Sequence, residues 1–63
     1  MANEVEQYKA NCLTLCNKLL SALEENRMDA TRFFGEDIYR SYAAATDRVI
    51  SETKQVRNKI RNL

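Results

Sequence analysis

Two thiols one helical turn apart, Cys12 and Cys16, and a row of cations at Lys54, Arg57 and Arg61 carry the most chemistry in this 63-residue chain. Helical side chains four positions apart hold their Cβ atoms about 5–6 Å apart, whereas a disulfide needs about 3.8 Å. A bridge between Cys12 and Cys16 would therefore distort a helix. Two chains could bring four thiolates around one zinc ion, but each supplies only two ligands and the sequence has no histidine. Reduced thiols serving as small apolar core residues explain the pair without a metal, and none is expected. The cations fall at i, i+3 and i+7 on one side of a helix, with Arg48 and Lys59 toward its other edge. Such a stripe either tracks phosphates, with strongly salt-dependent binding, or is a solvated helix end.

Catalysis finds less support. Proton transfer and nucleophilic attack usually draw on histidine or on a carboxylate tuned in a cleft. Here the carboxylates are spread over polar faces, and the adjacent Glu24 and Glu25 point apart on a helix. The Glu-x-x-His motif of di-metal bundles is absent. A single glycine cannot form a glycine-rich phosphate loop. The expectation is a protein that is not an enzyme and holds no cofactor.

The elements that must position these residues follow from one glycine and the absence of proline. In Phe33-Phe34-Gly35-Glu36-Asp37, Gly35 suits the left-handed position just past a helix C-terminus. Arg27 and Arg32 precede it, and Glu36 and Asp37 follow it, as the dipoles of an ending and a starting helix favour. The spacing predicts a single domain over 1–63, with a helix over about 4–34, a turn at Gly35 and a helix over about 36–62. Arms of nearly equal length, each about 45 Å, would cover each other fully. Two other readings stay open. One places the turn at Asn26 to Asp29. The other is an unbroken helix, because residues such as Val5, Cys16, Arg27, Ile38, Val49 and Ile60 recur every eleven positions, a period that suits straight or slightly right-handed bundles.

The first arm places Val5, Tyr8, Cys12, Leu15, Cys16, Leu19 and Leu23 at helical steps, with Leu13 and Leu20 widening the stripe. Phe33 and Phe34 are expected to close the bundle end beside the turn. The second arm carries Ile38, Tyr42, Val49, Val56 and Ile60, with Tyr39, Ala43 and Ile50 off its main stripe. The hydroxyls of Tyr39 and Tyr42 need polar partners or water if buried. An apolar face approaching half the circumference is more than one neighbouring helix covers. Small scaffolds below about 70–80 residues also rarely hold more than 3–5 kcal/mol in their own core. The expected architecture is an all-α antiparallel hairpin that assembles into a dimeric four-helix bundle. Its interface would comprise Val5, Tyr8, Cys12, Leu15, Cys16, Leu19, Leu23, Phe34, Ile38, Tyr42, Val49, Val56 and Ile60.

Charge is divided along the chain. Residues 1–37 hold seven acids and four bases, a net of −3, and residues 38–63 hold six bases and two acids, a net of +4. In an antiparallel hairpin Glu4 and Glu6 are expected near Lys59 and Arg61, setting the pairing direction. The start of the chain has acids in place of the basic patch and apolar run of a signal peptide, and no stretch approaches 18 apolar residues. A cytoplasmic location without membrane contact is the expectation.

Leu13-Thr14-Leu15 with Lys18-Leu19, and separately Tyr39-Arg40-Ser41, resemble fragments of the Rop family, plasmid regulators that form a dimeric four-helix bundle of hairpins and bind paired RNA loops. In the register of the first fragment, Lys18 and Asn3 match RNA-contacting residue types. Asn11 replaces a glutamine, and Gln7 stands where the family has its contact phenylalanine. The functional expectation is a non-enzymatic oligomeric module that binds another protein as a regulator, inhibitor or adaptor. The alternative is an RNA- or DNA-binding dimer using Lys54, Arg57 and Arg61.

Overall fold

The computed structural model describes residues 2–63, with the side chain of Ala2 left aside. It contains two helices, α1 (Ala2–Phe33) and α2 (Glu36–Arg61), packed against each other as a hairpin. The break falls at Phe34 and Gly35, so neither an unbroken helix nor a turn at Asn26 to Asp29 is found. Phe34 N–H still donates to Ala30 C=O at 3.1 Å, and Tyr39 N–H opens the next ladder on Gly35 C=O at 2.9 Å. Arg32 lies in the last turn of α1, and Glu36 and Asp37 lie in the first turn of α2, each complementing its helix dipole.

The reason for glycine at the break differs from the sequence expectation. Gly35 has φ −66° and ψ 164°, an extended conformation open to any residue, and it occupies the N-cap of α2. No glycine takes a positive φ. Gly35 ends the helix by lacking a side chain that favours continuing it, with no left-handed step involved.

Only one side of each helix is covered. On α1 the covered or half-covered positions include Leu13, Cys16, Leu20, Leu23, Arg27 and Ala30, and on α2 Tyr39, Ala43, Thr46, Ile50, Thr53, Arg57 and Ile60. These rows advance by alternating steps of three and four, the 3.5-residue seam of two supercoiling helices. The eleven-residue series does not describe this packing: Val5, Ile38 and Val49 from it are exposed, while Cys16 and Ile60 are half-buried. Leu20, Ala30, Ala43 and Thr46 are the buried residues. Leu20 and Ala43, read from the sequence as fringe positions, are thus the centre of the seam. Of the three consecutive alanines, Ala43 is buried, while Ala44 and Ala45 are exposed.

The arms are unequal. At 1.5 Å per residue, the 32 residues of α1 and the 26 of α2 differ by about 9 Å. Cross-strand partners such as Arg57 with Asn17, and Lys9 with the Leu63 carbonyl, set the register. Glu4 and Glu6 fall beyond the last residue of α2 in this register, and among the described residues neither pairs with Lys59 or Arg61. The expected charge pairing is absent for that reason.

Candidate association surface

The hairpin measures 51 × 16 × 10 Å and has a radius of gyration of 15.1 Å. A compact chain of this length would have a radius near 10.6 Å, and 10 Å is about the thickness of one helix. The fold is one layer, and a single layer cannot enclose a core. No large side chain among the described residues is fully buried.

What the seam does not use forms the outer face. Val5, Tyr8, Leu15 and Leu19 on α1 and Ile38, Val49 and Val56 on α2 are all exposed, Val5 at 68%, Tyr8 at 73% and Leu15 at 63%. Cys12, Cys16, Leu23, Tyr42 and Ile60 are half-buried, and Phe34 is exposed. The thirteen residues read as an interface therefore all keep accessible surface within the single chain. Eight of them are exposed, and together they run the length of both helices. Within the single hairpin the two phenylalanines stay open: Phe33 is 79% exposed, and Phe34, itself exposed, meets Tyr42 edge to face with ring centroids 6.0 Å apart.

The surface area fits the same picture. A folded monomer of 7.3 kDa is expected to expose about 4,200 Å² from the scaling of surface with mass. This hairpin exposes 5169 Å², an excess of roughly 1,000 Å² against the ~800 Å² that each partner buries in a standard stable interface.

Polar groups cross the seam at defined places. Asn26 Nδ2 donates to the Tyr42 hydroxyl, and Arg27 Nη1 lies 3.5 Å from the Tyr39 hydroxyl. Both tyrosines thus have the polar partners that half-burial requires. Arg27 Nε sits 2.7 Å from Asp47 Oδ1, and its guanidinium is held above its ordinary pKa chiefly by the hydrogen bond to Asp47.

The cationic stripe is divided. Lys54 and Arg61 are exposed, but Arg57 is half-buried in the seam, where Nη1 donates to Asn17 Oδ1 at 3.4 Å and the buried Nε has no partner. The three do not present one open row of charge. Periodicity counted on α2 alone could not reveal this, because the position of Arg57 depends on where α1 lies.

Cys12 and Cys16 are free thiols, half-buried instead of fully buried. Among the described residues no group of three or more cysteine or carboxylate side chains is placed to hold a metal, and no helix is long and apolar enough to cross a membrane. Comparison with known protein families, with curated proteins and with solved structures found no match, which leaves the two Rop-like fragments as local likeness alone.

Proposed function

We propose that the protein is a non-enzymatic protein–protein interaction module, a small regulator, inhibitor or adaptor that works as an oligomer of helical hairpins, in its simplest form a homodimer. The observation that carries this reading is the row of exposed apolar side chains at Val5, Tyr8, Leu15 and Leu19 on α1 and Ile38, Val49 and Val56 on α2, open in the single chain. Contiguous apolar surface on this scale marks an interaction site in soluble proteins. The surplus area is of the size a stable interface buries. The pattern is also economical, because each helix devotes one 3.5-residue seam to its own hairpin and a second apolar row to a partner, as helices in a four-helix bundle do.

Sedimentation equilibrium across the micromolar range tests the reading, together with thermal unfolding over the same concentrations. A mass of two chains and a Tm that climbs with protein concentration are expected, because association stabilises by mass action. A well-folded monomer with a concentration-independent Tm would overturn it.

A further inference from the structure

Resting on the reading above, we infer that the covering molecule is a second copy lying head to tail, with Phe33 of each copy seated in a groove at the open end of the other. The open end carries the start of α1 and the end of α2, and the opposite end carries the turn.

The first argument is charge. Residues 1–18 with 54–63, the open part of the hairpin, hold six basic and two acidic side chains, a net of +4. Residues 24–48, the part near the turn, hold six acids and four bases, a net of −2. A head-to-tail pair brings each positive part against a negative one. Side-by-side copies with both turns at one end would set like against like along the whole contact, and such juxtaposition suppresses wrong arrangements.

Shape supplies the second argument. At the open end Val5, Tyr8, Cys12, Ile60 and Leu63 line a mostly apolar groove of about 280 Å³, room enough for a phenyl ring. The turn end projects Phe33, the most exposed aromatic side chain of the hairpin. Phe33 shares the heptad position of Val5 and Cys12, so knob and groove look out from the same face. A twofold, head-to-tail pairing uses each of them twice and leaves no open end that could propagate a filament.

The test uses the full chain in two forms. In the Cys16→Ala variant the remaining thiol, Cys12, lies in the groove, and its rate of reaction with an aromatic disulfide reagent reports whether the groove is filled. That rate is expected to fall by roughly tenfold or more as the dimer forms, since the interface must open before the thiol can react. Adding Phe33→Ala is expected to restore it without loss of helicity. In a Cys12→Ala, Cys16→Ala background, nitroxides placed through Arg32→Cys report the distance between the two turns. With Phe33 of each copy against residues 5–12 of the other, head-to-tail copies place the labels about 35–40 Å apart at 1.5 Å per residue; copies with turns together place them about one helix spacing apart, on the order of 10 Å. A dimer with the short distance overturns this inference and leaves the interaction-module reading standing. So does a dimer whose Cys12 reacts as fast as in the dilute monomer. A monomer at all concentrations overturns both.

Discussion

Arg27 Nη2 donates across the hairpin to Asp47 Oδ2 at 3.1 Å, and Nε lies 2.7 Å from Oδ1 without the alignment of a second hydrogen bond. A charge-assisted hydrogen bond fixes direction as well as distance, and here it ties α1 to α2 in the part of the seam nearer the turn. Replacing Asp47 by Asn is expected to lower the Tm at low salt, with a difference that shrinks as salt is added, because both groups are partly exposed and screened. A double-mutant cycle with Arg27→Met, followed by thermal unfolding, checks that the effect belongs to the pair. The pH dependence follows from the sign of the shift. A base held above its ordinary pKa in the folded state contributes stability that is present below its unfolded value and fades as pH rises through the folded one. For Arg27 that window is strongly alkaline, so its contribution is expected to stay flat from neutral to mildly alkaline pH.

Gly35 offers a stabilising substitution. Its backbone angles suit an ordinary N-cap, no side-chain cap bond is present, and a Cβ added there would meet nothing within 4 Å. Gly35→Ser gives α2 a capping hydroxyl, worth a few tenths of a kcal/mol over glycine. It also restricts the unfolded chain, worth about 0.4–1 kcal/mol. The expected sum is near 1 kcal/mol of added stability, measured by urea unfolding. Gly35→Ala gains only the second contribution and loses the weak cap, so it is expected to be close to neutral. A glycine in the left-handed region would have shown a marked loss with either residue.

These two sites mark what could be read from the sequence. Two long helices hinged near residue 35 followed from one glycine, no proline and the charges around it. The backbone angles of Gly35 did not follow, because a helix can end on either an αL or an extended residue, and composition alone does not distinguish them. The apolar residues of each arm were also legible. Their division between an inner seam and an outer face was not, since Leu19 and Leu20 are equally apolar and adjacent, and only the position of α2 decides which of them it covers. The placement of Arg57 and the missing partners of Glu4 and Glu6 have the same origin: both depend on a register fixed by contacts between helices, which one-helix periodicity does not contain.

Leu19 and Leu20 therefore make a controlled comparison. Leu20 is 6% exposed in the hairpin and Leu19 is 47% exposed. Leu20→Ala removes buried methyls from the seam and is expected to cost about 2–3 kcal/mol, the low end for leucine truncation because the surrounding layer is thin. In an isolated hairpin Leu19→Ala would fall within the ~0.5 kcal/mol typical of surface changes. With the outer face covered by a partner, Leu19→Ala is expected to approach the cost of Leu20→Ala at high protein concentration and to lose that cost on dilution. Thermal unfolding of both variants at two concentrations reads out the difference.

Arg57 separates fold from surface. Its stem lies in the seam and its buried Nε has no partner, so the guanidinium loses hydration there and regains only one long contact to Asn17. A half-buried, poorly satisfied charge gains little over an apolar side chain of similar volume. Arg57→Met, which keeps the stem and drops the charge, is expected to leave the Tm unchanged or raise it, whereas Arg57→Glu is expected to lower it. Circular dichroism melts of the two variants check this. The same contrast governs any test of nucleic-acid binding by the cationic stripe. Lys54→Glu with Arg61→Glu reverses two exposed charges and leaves the seam intact, so a changed mobility shift in that pair reads surface charge alone. A variant that includes Arg57→Glu reads loss of the hairpin as well.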